Sequence, residues 1–179
     1  TEALCAPLSP EDCAVQSMQD ASPVKWHLAH TSWFFETLVL EGVPGYAAFA
    51  PAYRVLFNSY YQSVGAQHPR PERGVLSRPS FDRVLAYRRH VDAAVLRLLD
   101  AGAPSAALDV VELGLHHEQQ HQELVLTDLK HAFSRNPLRP AYRERAPEAA
   151  GRAQPLRWIG AEGDLLEIEI GRASCRGRV

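Results

Sequence analysis

Residues 105–133 read SAALDVVELGLHHEQQHQELVLTDLKHAF, and the fold turns on this stretch. Leu108, Val111, Leu115, Leu124, Leu126 and Leu129 recur along it, which predicts one long helix from about Ser105 to Phe133. Asn136-Pro137 and Pro140 close it. His116-His117-Glu118-Gln119-Gln120-His121 stands in its middle. His117 and His121 are four residues apart, so their rings share a helix face and can meet one metal ion. His116 is turned about 100° away and has no histidine four residues on. Imidazole suits Fe, Zn, Cu or Ni. Two histidines do not close a site, so a third ligand must come from a facing helix.

Working outward, the first 21 residues are polar and broken by Pro7 and Pro10. Ser22-Pro23 reads as a helix start, with Ser at the N-cap and Pro at the first helical position. The helix predicted from Val24 to about Glu41 ends at Gly42 and Pro44. It holds Trp26-His27-Leu28-Ala29-His30, whose two histidines are three apart and near one face. Either can be the third ligand; spacing leaves the choice open. Three protein ligands leave coordination positions free, the arrangement of a reactive metal rather than a structural one. Trp26, Trp33, Phe34 and Phe35 read as core packing; Tyr60 and Tyr61 read as core too, with the cleft wall as the alternative.

Between Tyr46 and Pro79 the prolines multiply, and the reading is a short helix near Asn58 to Val64 and a long ordered loop through His68-Pro69-Arg70-Pro71-Glu72-Arg73. Such loops in compact domains are usually functional or disordered. Ser80 then caps a second long helix with Val84, Leu85, Val91, Val95, Leu98 and Leu99 on its apolar face, stopped by Ala101-Gly102-Ala103-Pro104. No segment before residue 155 alternates as a half-buried strand does. Three long helices and a shorter one predict an all-α, up-and-down four-helix bundle over 1–142.

The whole chain has 179 residues, 46% hydrophobic and 22% charged, enough for a real core and too apolar for general disorder. A net charge of -2 excludes a protein built to coat nucleic acid or an anionic membrane. No stretch approaches the roughly 18 apolar residues of a membrane helix. Three cysteines make a poor disulfide framework and fit a reducing, cytoplasmic compartment. Residues 143–155 read as a solvated linker, and 156–159 and 165–170 as the opening strands of an α+β domain that does not follow. The run 169–179 resembles the translation of a sequencing-adapter oligonucleotide, so 171–179 are set aside as a non-native tail.

Three separated motifs carry a family resemblance. They are Ser22 to Thr37 around Trp26-His27-Leu28-Ala29-His30; Phe57-Asn58-Ser59-Tyr60-Tyr61 with Val64-Gly65 and His68-Pro69-Arg70-Pro71; and His117 to Leu124 with Thr127-Asp128 and Asn136-Pro137-Leu138-Arg139-Pro140. In this order, from about Thr1 to Arg157, the chain resembles the N-terminal, DinB-like domain of EgtB enzymes, the iron-dependent sulfoxide synthases (hercynine oxygenases) of ergothioneine biosynthesis. The related ovothiol enzymes share the architecture. The resemblance implies an Fe(II) site held by His30, His117 and His121, with His27 a non-ligand. It implies O₂-dependent joining of a cysteine-type thiol, γ-glutamylcysteine or cysteine, to the imidazole C2 of hercynine. It also implies that Gln120 helps hold hercynine and that Arg70 and Arg73 hold the thiol substrate's carboxylates. The proton-donating tyrosine of the family belongs to a C-terminal domain like the formylglycine-generating enzymes. Only its first residues are read here, which predicts a metal-binding portion with little activity of its own.

Two other chemistries fit parts of the pattern. A free-standing DinB-like thiol transferase using Zn²⁺ or another divalent metal also employs three histidines on a bundle, but lacks the Trp-His-Leu-Ala-His and Asn-Pro-Leu-Arg-Pro context. His117-Glu118-Gln119-Gln120-His121 also matches His-Glu-x-x-His, the zinc-hydrolase signature with Glu118 as general base. That reading needs a downstream ligand, and no histidine beyond His131 is available.

Overall fold

The segment after Ser22-Pro23 is buried on every side. The computed structural model describes residues 1–144; the linker beyond Glu144, the strands expected at 156–159 and 165–170 and the tail 171–179 lie outside the described residues. Helix α1 is one short turn, Glu2–Cys5. Helix α2 spans Val24–Phe35, every residue of it buried, and a π-helical turn, Glu36–Leu40, continues it. Helix α3 is short, Tyr53–Leu56, while α4 (Phe81–Asp100) and α5 (Ser105–Arg135) are long. The described residues contain no strand.

A helix buried on all faces sits at the centre of its fold, and α2 packs against both α4 and α5. Leu28, Trp33 and Phe34 of α2 meet Phe57, Val84, Tyr87, Val91 and Val125 in one core. Among the described residues there are three long helices, as predicted, and the shorter one is Tyr53–Leu56. The remaining sides of α2 are covered by short pieces: a 3-10 turn at Asp12–Ala14 and the segment 46–79.

That segment stays folded because α2 feeds its carbonyls. Lys25 Nζ donates to the carbonyls of Leu76 and Pro79 at 2.5 and 3.2 Å. Trp33 Nε1 donates to Arg54 O at 2.9 Å, and His30 Nδ1 to Phe57 O at 2.6 Å. Buried backbone acceptors need partners, and here side chains of a central helix supply them where a fourth helix would have supplied its own. The helix expected near Asn58 to Val64 is accordingly not formed. Asn58 Nδ2 reaches the carbonyls of Gly65 and Ala66, both at 3.1 Å, Tyr60 adopts φ 63°, and only Gln62–Val64 makes a 3-10 turn. Tyr60 is no core residue either: it is 76% exposed.

Ser80 caps α4 as expected, its hydroxyl accepting from Arg83 N at 3.3 Å. Ser22 does not cap α2. Its hydroxyl accepts from Arg73 Nη1 at 2.8 Å and its N–H donates to Asp128 Oδ2 at 2.8 Å; the helix begins at Val24 as predicted, with Pro23 rather than Ser22 at the N-cap position.

Helix α5 does not bury all of its leucines. Leu108, Leu115 and Leu126 are exposed, and the buried line is Gly114, His121, Val125, Asp128 and Leu129. Gly114 explains how α5 comes so close. A Cβ there would stand 2.5 Å from Phe35 Cε1 and 3.0 Å from Phe34 Cε1, so the aromatic edge of α2 occupies the space of a side chain.

Candidate metal centre

Helix α5 turns its histidine face toward α2. His30, His117 and His121 each offer a ring nitrogen, and these three atoms lie within 4.8 Å of one another. The ring centroids are 4.9 Å apart for His30 and His117, 4.8 Å for His30 and His121, and 4.6 Å for His117 and His121. Two residues thus come from the i, i+4 pair of α5 and the third from α2.

Each ring has a different support. His30 lies nearly parallel to Trp26 and Trp33, with centroids 4.6 and 5.4 Å away, so two indoles fix its plane. The carbonyl of Phe57 can only accept, so His30 carries its proton on Nδ1, and Nε2 of the neutral ring is a free lone pair. His117 packs on Phe34 at 4.8 Å, and its Nδ1 is buried without a hydrogen-bond partner. His121 Nδ1 lies 2.9 Å from His27 Nδ1. Burial pushes all of these imidazoles below their ordinary pKa, His30 to about 3. They are therefore neutral at pH 7, the state in which imidazole ligates.

The residues present fit a metal ion. An unpartnered buried nitrogen costs about 1–3 kcal/mol, and an ion between three neutral rings would satisfy the orphaned atom. The donor set is three nitrogens with no carboxylate or thiolate, which suits Fe, Zn, Cu or Ni.

Above the histidines is a cavity of about 360 Å³. His30, His117, His121, Gln120, Arg70 and Arg73 all line it. No aspartate or glutamate does. Arg73 is 3% exposed, its Nη1 and Nη2 donate to Ser22 Oγ and Ser59 Oγ at 2.8 Å, and its guanidinium lies 3.4 Å from the Trp26 ring centroid. Burial, with Arg70 nearby, lowers its pKa to about 10, so it remains a cation at neutral pH. Arg70 donates to the Tyr60 hydroxyl and to Asp20 O. In both arginines Nε is buried and unpartnered. Tyr61 borders the cavity too, against His117 and Trp33.

Glu118 does not face this cavity. Its carboxylate accepts from Arg88 Nη2 and from the Thr1 hydroxyl. His131 is likewise engaged elsewhere, with Ser17 Oγ at 2.7 Å. Neither residue is placed as a zinc hydrolase requires.

Asp128 is the residue that spacing reasoning missed as part of the site. It lies seven positions after His121, two turns along the same face, and its Oδ2 is 3.0 Å from His27 Nε2. The i+7 offset was the available signal.

Residues 1–125 match the model of the DinB superfamily, and the chain belongs to that superfamily. Members are often metal-binding and often metal-dependent enzymes. No curated protein matches the chain.

Proposed function

We propose that this chain carries the metal centre of a non-haem Fe(II) sulfoxide synthase of the hercynine oxygenase type. The observation that carries the proposal is a single cavity faced by three neutral imidazoles and two arginines, Arg73 buried and Arg70 half-buried, with no acidic residue in its lining. Such a cavity is built for an anion held beside a metal. Fe(II), when bound, supplies coordination positions for a thiolate and O₂ and the redox capacity for C–S bond formation. The overall change balances as thiol plus imidazole C2–H plus O₂ giving the C2-linked sulfoxide and water: the S–H and C–H bonds break, a C–S and an S–O bond form, and O₂ takes four electrons.

The chain's own residues bind and orient. Arg70 and Arg73 line the cavity and put their guanidinium groups within reach of the carboxylates of a γ-glutamylcysteine-type substrate. Charge-assisted bonds of this kind contribute about 1.5–3 kcal/mol each. Gln120, one residue before ligand His121, offers an amide to the hercynine side. Trp26, Tyr61 and Leu124 supply apolar wall that limits water around the reacting atoms. No tyrosine of the described residues is assigned the proton-donor role.

The test is equilibrium dialysis of anaerobic, Fe(II)-loaded chain against γ-glutamylcysteine. The proposal predicts retention of the thiol, much weaker retention of its S-methyl ether, and at least a tenfold loss of affinity in Arg73→Ala. Equal retention of thiol and ether would contradict it.

A second reading is a divalent-metal thiol transferase, because three imidazoles serve Zn²⁺ as well as Fe(II). Competition of the two metals for the apo chain separates them: the transferase reading predicts that Zn²⁺-loaded chain transfers a thiol without O₂. The hydrolase reading has lost its base, since Arg88 holds Glu118.

A further inference from the structure

The metal-centre reading leaves two buried polar side chains without a role, His27 and Asp128. We propose that they are positioning residues: a hydrogen-bonded chain from Asp128 through His27 fixes the tautomer of His121 and aims its Nε2 at the metal. The proposal rests on the metal-centre reading and deepens it.

The argument runs from the acid inward. Asp128 Oδ2 accepts from Ser22 N at 2.8 Å and faces His27 Nε2 at 3.0 Å. A carboxylate only accepts, so the single proton of a neutral His27 ring sits on Nε2. His27 Nδ1 is then an acceptor. It faces His121 Nδ1 at 2.9 Å, so His121 must be the donor, with its proton on Nδ1. The lone pair of His121 is thereby left on Nε2, the nitrogen free to ligate. A cationic His27 would reverse the inner bond and leave His121 protonated on Nε2, unable to ligate. Only one arrangement of protons satisfies all four atoms and the metal together.

The parts are placed by two helices. His27 and His30 are three residues apart on α2, one facing the relay and one facing the metal. His121 and Asp128 are two turns apart on α5, so α5 supplies both the ligand and the acid that orients it. Asp128 is buried, as are His27 and His121, so water does not compete for these bonds. The relay also lends negative charge to a ligand set that has none of its own, which strengthens His121 as a donor.

The experiment uses the full chain. First, ¹⁵N imidazole NMR of the metal-free protein should show His121 as the Nδ1–H tautomer and His27 as the Nε2–H tautomer. His121 protonated at Nε2 would overturn the proposal whatever metal binds. Second, anaerobic Fe(II) affinity is measured by chelator competition. His27→Phe keeps the bulk and removes the relay; it should still bind one Fe(II), with Kd raised about 10–100-fold. His27→Gln can accept from His121 and donate to Asp128, and should stay within about threefold of the parent, by the same acceptor and donor count. If His27→Phe does not fold, Asp128→Asn serves, which keeps an acceptor but removes the charge and should weaken Fe(II) in the same direction. Equal affinity in parent and His27→Phe, or His27→Gln as weak as His27→Phe, would reduce His27 to packing and overturn the relay. Failure of the parent chain to take up any Fe(II) would instead overturn the metal-centre reading itself.

Discussion

His27 and His30 show what a single residue's surroundings decide. Three positions apart on one helix, they have nearly the same direction, and spacing alone cannot rank them. Their partners do. Phe57 O takes the Nδ1 proton of His30, while Asp128 and His121 occupy both nitrogens of His27. The i, i+4 pair His117 and His121 was legible from spacing because both members lie on one helix; the choice of His30 as third candidate ligand came only from the family resemblance, because the neighbours that distinguish it from His27 are tertiary. Arg73 makes the same point about charge. Its fork spans Ser22 and Ser59 and its face covers Trp26, so a lysine cannot replace it. Arg73→Lys is expected to weaken γ-glutamylcysteine binding to the metal-loaded chain by about tenfold or more, from the roughly 1.5–3 kcal/mol of a charge-assisted bond. Calorimetric titration checks this, and an unchanged Kd would remove Arg73 from the substrate site.

At the scale of elements, α5 carries the lesson. Its apolar residues marked it as a helix, yet Leu108, Leu115 and Leu126 face outward. What sets the buried face is Gly114, against which Phe35 and Phe34 close, and the histidine line that follows it. A glycine in a helix reads as a small flaw in a pattern, so the signal was present but ambiguous. Gly114→Ala tests the point, because two effects compete. Helix propensity favours alanine by about 0.8–1.0 kcal/mol, while overpacking a tight contact costs about 1–3 kcal/mol. With rings 2.5 and 3.0 Å from the new methyl, overpacking wins. The variant should melt lower than the parent by a few degrees, on the order of 2–4 °C per kcal/mol, and bind Fe(II) more weakly as α5 is pushed from α2. A higher melting temperature would show that α5 does not sit as described. The segment 46–79 was the least legible part. Its conformation depends on carbonyls accepting from Lys25, Trp33 and His30, side chains distant in sequence.

For the whole described unit, helical class was readable from periodicity, and the cluster of polar groups in its core sets how it responds to pH. No helix among the described residues is long and apolar enough to cross a membrane. Burial lowers the pKa of His27, His30, His117 and His121. An unfolded histidine titrates near 6.5, at about its ordinary value, so below that pH the unfolded chain binds more protons than the folded one. Stability therefore rises with pH: it is fully present above about pH 6.5 and lost as the pH falls toward the folded value, about 3 for His30. The urea midpoint of metal-free chain should fall steadily from pH 7 to pH 5. A flat profile would mean these imidazoles are hydrated in solution. Bound metal should raise the midpoint at pH 7 and lose that effect in acid, because protons and metal compete for the same lone pairs.

The measurement that bears most directly on the central claim is an anaerobic Fe(II) titration of the full chain beside His30→Ala and His117→Ala, with far-UV circular dichroism to show that each variant is folded. The account predicts one tightly held Fe(II) per chain, abolished in both folded variants, one from α2 and one from α5. Stoichiometric Fe(II) that survives the loss of either histidine would contradict a centre shared between those two helices.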